Sequence, residues 1–194
     1  EHSFKWKPSQ YNTIDFLVTV KKDKNGKDEI HNVFQDGVNL QKQNSIVQYK
    51  TLILHCGFNK KDHGYINPML DVINDVLPSE DEKDNTQRYQ PVPFQPTNPY
   101  DIEAQYCNVE LKDNGNGLVM LTEENEYFEE NMIVEFSYNR EKEGYWRWVP
   151  LRVRYDKTND LRATGSNFGN AYHVANSNWH SIHNPITEEM IMSG

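Results

Sequence analysis

The sequence has no apolar run that approaches a membrane span, and no signal peptide is visible in it. It has only two cysteines, Cys56 and Cys107, far apart and without a pairing pattern. They read as buried free thiols of a reducing compartment rather than a disulfide framework. Positive charge is in deficit: the formal net charge is −9. That argues against a protein that coats nucleic acid through its overall field, so any RNA or nucleotide contact has to be local, in a basic strip on an acidic body. Internal repeats and low-complexity tracts are also missing. What remains is one ordinary domain, or one domain with segments of its neighbours, in 194 residues. Aromatics at 12% are enough for a core, and the mean hydropathy of −0.87 points to a very polar surface. The first residue is not Met and a strand begins almost at once, so the sequence reads as a piece of something longer.

Short β-rich segments dominate. Thr13 to Lys22 alternates and ends in a Lys/Asp/Asn/Gly turn over Lys22 to Lys27. Ile30 to Phe34 suits a short return strand. Ser45 to Phe58 suits a long strand whose second half is apolar on both faces, as at the centre of a small barrel. Asn67 and Pro68 open a helix with apolar residues from Ile66 to Leu77, closed by Pro78. The acidic run Ser79 to Asp84 reads as a solvated loop. Gln90 to Pro99 is extended and proline-rich, a strap packed over the barrel. Ala104 to Lys112 and Leu118 to Leu121 flank Asp113-Asn114-Gly115-Asn116-Gly117, a hairpin turn. Thr122 to Glu130 is acidic and suits one helical turn. Met132 to Tyr138 and Tyr145 to Tyr155 read as two further strands. Phe168 to His183 is helical by pattern, with Ala171, Ala175, Trp179 and Ile182 on one stripe and Asn184-Pro185 at its end. The expectation is a mainly β fold: an OB-fold barrel enlarged by insertions, with one or two helices.

Two stretches carry chemistry. In Phe4-Lys5-Trp6-Lys7-Pro8 the strand period of two puts both rings on one face and both ammonium groups on the other, and Pro8 stops the ladder. Lys5 and Lys7 side by side make either a phosphate site or a pair of solvated lysines on an edge strand. In Trp148 to Thr158, Arg152, Arg154 and Asp156 lie two apart and share one face if the strand continues through them. Two guanidinium forks on one face suit a polyphosphate. Asp156 then orients an arginine or a metal-bound phosphate, and Lys157 reaches a leaving pyrophosphate. The alternative is a charged edge-strand face with an Arg–Asp pair.

Taken whole, Phe4-Lys5-Trp6-Lys7-Pro8 followed by Asn12-Thr13-Ile14-Asp15-Phe16 resembles the last nucleotide-binding motif of mRNA guanylyltransferases. Trp148, three residues, then Arg152-x-Arg154-x-Asp156-Lys157 resembles the OB-domain motif of the same family. The tail, Phe168-Gly169-Asn170 through Trp179 and Asn184-Pro185-Ile186-Thr187, looks like the connector to a cap methyltransferase in the multifunctional capping enzymes of large cytoplasmic DNA viruses. The resemblance touches both ends and the Gln90 to Pro96 strap; over Gly26 to Asn85 it is architectural only. It implies a division into residues 1–12, the last strand of a nucleotidyltransferase domain, 13–165, the OB-fold domain, and 166–194, a helical linker toward a methyltransferase domain. It implies GTP as substrate, Mg2+, and GMP transfer through a lysyl-GMP intermediate to the 5′-diphosphate end of mRNA. Lys5 and Lys7 would hold the α-phosphate, and Arg152, Arg154, Asp156 and Lys157 the departing pyrophosphate. The implied partners are the flanking domains of the same chain and a stimulatory subunit, with no membrane, in the cytoplasmic viral factory or the virion. The family's nucleophile lies in a Lys-x-Asp-Gly motif, which does not occur here.

The runner-up readings are the OB domain of an ATP-dependent polynucleotide ligase and a non-catalytic OB module that binds RNA or a subunit. Among lesser candidates, His180 and His183 have tolerable zinc spacing without a cysteine pair or carboxylate cluster nearby, so exposed helix histidines are the better reading. His55-Cys56 sits in an apolar strand and reads as buried. Glu123-Glu124 and Glu129-Glu130 read as solvated. Tyr106, Tyr127 and Tyr138 suit either base stacking or the core.

Overall fold

A computed structural model describes residues 12–34, 46–59 and 89–184. The first motif with Lys5 and Lys7, the helix expected over Ile66 to Leu77 and the acidic run Ser79 to Asp84 lie outside the described residues.

Among the described residues, nine strands form one antiparallel sheet: β1 (Thr13–Val20), β2 (His31–Phe34), β3 (Ile46–Phe58), β4 (Gln90–Pro93), β5 (Tyr106–Asp113), β6 (Leu118–Leu121), β7 (Tyr127–Phe128), β8 (Met132–Tyr138) and β9 (Trp148–Val153). The order is β7-β6-β5-β3-β1-β8-β9, with β2 and β4 paired to opposite ends of the long β3. The sheet curls until β9 approaches β5. Cys107 Sγ lies 3.3 Å from the Trp148 carbonyl, and the Trp148 indole donates to the Ala104 carbonyl at 2.9 Å. The Glu123 N–H donates to the Pro150 carbonyl at 2.9 Å, bridging the remaining gap. With β1, β3, β5, β9 and β8 running round it in that order, the sheet is a nearly closed five-stranded barrel of the OB type, with the other strands as additions. The architecture is mainly β, as expected.

Alternation explains the core. Ile14, Phe16, Val18 and Val20 of β1 point inward, as do Leu52, Leu54 and Cys56 of β3, Cys107, Val109 and Leu111 of β5 and Met132, Val134 and Phe136 of β8. Phe16 is the hub, with ring centroids 5.0 Å from Phe94, 5.2 Å from Trp148 and 5.8 Å from Phe136. Phe94 belongs to the proline-rich strap, fully buried where its N–H meets the Leu54 carbonyl at 2.9 Å. Both cysteines are free and buried, and burial pushes both thiols well above the usual range.

Among the described residues, two α-helices pack on the barrel. Helix α2 (Tyr172–His183) plugs one mouth of the barrel with the expected stripe, Ala175, Trp179 and Ile182, all fully buried. Helix α1 (Tyr155–Thr164) replaces the end of the strand expected over Tyr145 to Tyr155. That strand begins at Trp148, after a 3₁₀ turn over Gly144–Trp146, and stops at Val153. The reason lies in the first helical turn: the Thr158 N–H donates to the Arg154 carbonyl at 2.9 Å, and the Ile133 N–H near the start of β8 donates to the Thr158 hydroxyl at 3.0 Å. The acidic segment Thr122 to Glu130 contains no helical turn. It makes a tight turn at Asn125 and the short strand β7, and the Glu126 carboxylate accepts the Val153 N–H at 2.9 Å.

Candidate functional site

The site grows from three residues that register sets side by side. Asp15 of β1 lies opposite Glu135 of β8, and Glu135 lies opposite Arg152 of β9. All three project from the outer face, because their neighbours Ile14, Phe16, Val134, Phe136 and Val153 occupy the inner one. Two facing carboxylates repel unless cations intervene. Arg152 bonds Glu135, and the start of α1 supplies two more cations. Arg154 Nη1 and Lys157 Nζ each reach the same oxygen of Asp15, Oδ2, at 2.6 Å. The Asp15 side chain is 7% exposed, whereas those of Arg154 and Lys157 are about a quarter exposed.

Burial pushes the Glu135 carboxyl up, but the Thr13 hydroxyl at 2.6 Å and the Arg152 guanidinium outweigh it and hold the group below the ordinary glutamate range. Asp156 is exposed on the first turn of α1, 3.5 Å from Arg154 Nη2. The Lys157 N–H holds it below its usual range. A turn of free amides at a helix start favours negative charge nearby.

Asp15, Glu135, Arg154 and Lys157 line an open, wholly polar hollow of about 340 Å³, with Asn12, Thr13, Asn170 and Asn178 completing it. Of the six residues expected to act, Arg154 and Lys157 meet here and Arg152 stands beside them on the Glu135 carboxylate. Asp156 sits at the rim, and Lys5 and Lys7 lie outside the described residues. The expected common strand face for Arg152, Arg154 and Asp156 is corrected: Arg152 projects from β9, Arg154 begins the helix, and Asp156 and Lys157 belong to its first turn. The helix nonetheless brings Lys157 to the same carboxylate as Arg154.

Sequence reasoning missed Asp15, Glu135 and Asn170 as site residues. The Asn170 amide oxygen accepts the Asp15 N–H and its own N–H donates to the Asp15 carbonyl, both at 2.8 Å. Gly169 makes this clamp possible. Its φ is +83°, and a Cβ there would lie 2.5 Å from the Asp15 carbonyl oxygen. The signals were present: a lone acid in the apolar strand Thr13 to Val20, and Gly-Asn directly before a helix.

The other candidates separate. Tyr138 is buried among Trp148 and Trp179. Tyr127 is exposed and donates to Glu129, and the half-buried Tyr106 packs at a tilt against Tyr145. His180 bonds the Thr97 carbonyl and His183 the Trp179 carbonyl. Glu130 is not free in solvent, since it accepts the Val20 N–H at 2.7 Å and pairs with Lys22 at 2.8 Å. Among the described residues, no three His, Cys, Asp or Glu side chains stand together as metal ligands, and the Asp15 carboxylate is already held by two cations. The described residues therefore do not fit a Mg2+ site.

The chain is 29% identical over 193 residues to a "Probable mRNA-capping enzyme" of Acanthamoeba polyphaga mimivirus, a match covering 98% of this chain and 13% of that protein. The chain thus spans a small part of the relative's length. The family described as "mRNA capping enzyme, C-terminal domain" matches residues 65–192, well over half of the chain. The chain belongs to the mRNA capping enzyme C-terminal domain family.

Proposed function

We propose that this chain is the OB-fold part of an mRNA guanylyltransferase that moves GMP from GTP, through a lysyl-GMP intermediate, to the 5′-diphosphate end of RNA. The observation that carries the reading is the shared grip of Arg154 and Lys157 on Asp15 at the edge of an open polar hollow. Asp15 fixes both cations yet neutralises only one charge, and each keeps N–H groups for another acceptor. A departing pyrophosphate gains negative charge as its bond to the α-phosphate breaks, and donors already aimed stabilise that charge without reorganising. Arg154 grips it as a fork and Lys157 as a point charge. Arg152 is tied to Glu135 and shapes the flank. Lys5 and Lys7 hold the α-phosphate in this reading, and the rest of the protein supplies the nucleophilic lysine. No step is assigned to Mg2+.

The family match favours capping over the ligase reading. In this reading residues 166–194 lead toward a methyltransferase domain of a multifunctional enzyme. Covalent labelling of the whole protein tests the assignment. Transfer of GMP from labelled GTP, with no adduct from ATP, is the expected result. Labelling by ATP alone would move the chain to the ligases, and no adduct with either nucleotide would leave a binding module.

A further inference from the structure

Two carboxamides near the ends of the segment leading into α2 and along it line the hollow, Asn170 and Asn178, and hydrogen bonds orient them oppositely. Asn178 spends its NH2 group on the Thr13 carbonyl, at 3.0 Å, so the end it has left is an oxygen. Asn170 is turned the other way. Its side-chain oxygen accepts the Asp15 N–H at 2.8 Å. A main-chain N–H donates only to an acceptor, so the NH2 group is the end left over. The main chain of Asn170 is engaged as well: its N–H donates to the Asp15 carbonyl at 2.8 Å, and its carbonyl accepts the Gly57 N–H of β3 at 3.0 Å. Three of its four polar atoms are therefore bonded, and among the described residues nothing bonds the fourth, the carboxamide nitrogen. The lining of the hollow is wholly polar, so the half-buried Asn170 contributes a polar atom to it, and this nitrogen is the one without a partner.

Asp15 is the common anchor. Its carboxylate holds Arg154 Nη1 and Lys157 Nζ, each at 2.6 Å, and its main chain holds Asn170 through both the N–H and the carbonyl. Donors from the start of α1 and from the approach to α2 are thus fixed to a single residue of β1.

We propose that the Asn170 carboxamide donates a hydrogen bond to a phosphoryl oxygen of the pyrophosphate gripped by Arg154 and Lys157, as the third and uncharged contact of that site. The identity of the ligand rests on the capping reading. Three hydrogen bonds already hold Asn170, so its donor needs no reorganisation as charge develops on the leaving group. A neutral donor serves one more anionic oxygen without adding a cation that must itself be matched. Asn178 offers an oxygen, which an anion avoids, and takes no such contact. Asn170 lies in the 166–194 segment expected as a linker, so the site draws on a residue beyond the 13–165 barrel.

The test is a phosphorus NMR titration of inorganic pyrophosphate with the whole protein, without nucleotide or added metal, alongside urea denaturation of each variant. Asn170→Asp keeps an oxygen for the Asp15 N–H but replaces the donor. Asn170→Ala removes the donor without adding charge. Each is expected to raise the Kd for pyrophosphate about tenfold or more. The urea midpoint stays near wild type in Asn170→Asp and falls in Asn170→Ala, which alone loses the side-chain clamp. Binding within threefold of wild type in either folded variant would overturn the proposal, as would no pyrophosphate binding by wild type. So would an Asn170→Asp protein as destabilised as Asn170→Ala, since the loss of binding would then follow from the clamp. GTP labelling is measured separately. Its failure with Asn170-dependent pyrophosphate binding intact removes the capping reading and leaves this contact, and normal labelling with Asn170-independent binding removes this contact alone.

Discussion

At the residue scale the account turns on Asp15. An aspartate within a barrel strand is costly unless its charge is matched, and here two cations match it while Asn170 clamps its main chain. The clamp depends on Gly169, which combines a left-handed φ with an approach to the Asp15 carbonyl too close for any Cβ. Gly169→Ala is expected to cost roughly 2–4 kcal/mol of stability, from strain and displaced strand hydrogen bonds together. It also lowers GMP transfer in the folded fraction, because Asp15 shifts beneath Arg154 and Lys157. Urea denaturation and labelling of the same preparation check both effects, and wild-type values in each would show that the clamp does not position Asp15.

At the scale of elements, the strands were legible and helix α1 was not. Strand residues such as Ile14, Phe16, Val18 and Val20 announce themselves by alternation, because only one face meets the core. Helix α1 buries a single residue, Thr158, so it lacks the apolar stripe that marks a helix in sequence. Its true signals were at its ends: Asp156 in the first turn and Gly165 after the last, with φ +68°. Missing that helix is why Asp156 and Lys157 were expected on a strand. Asp15 and Glu135 were hidden for another reason: cross-strand register, which brings them together with Arg152, cannot be read from one strand at a time. Helix α2 was legible, because Trp179 and its neighbours repeat at helical spacing. Trp179 is fully buried against Phe94, Tyr138 and Trp148, and its indole donates to the Pro99 carbonyl at 2.9 Å. Trp179→Ala is expected to destabilise the fold by about 3–5 kcal/mol, seen as a lower urea midpoint. A loss under about 1 kcal/mol would mean that α2 is not part of the barrel's core.

At the scale of the whole molecule, ionisation and function draw on the same arrangement. Burial lowers the pKa of His55 and of His183 from the ordinary 6.5, so both are held neutral in the fold. The unfolded chain binds more protons below that value, and stability therefore falls as pH drops through it. Asp28, held low by its hydrogen bond to Lys22, and Glu135 act later. Their contributions are complete above the ordinary carboxylate range and are lost as pH falls through their lowered values. The urea midpoint should accordingly be lower at pH 5.5 than at pH 7.5, with a further drop below pH 4, and His55→Gln should reduce the first of these. A midpoint unchanged between pH 7.5 and 5.5 would show that neither histidine is held neutral.

The most direct measurement is the single-turnover rate of enzyme–GMP formation by the whole protein carrying Arg154→Ala, compared with wild type. The Arg154 guanidinium is assigned to a charge that develops only as pyrophosphate leaves, so the account predicts a rate lower by about 100-fold or more in a variant that remains folded. A folded Arg154→Ala protein that labels within threefold of wild type would contradict it, and would take the hollow out of the nucleotidyl-transfer step.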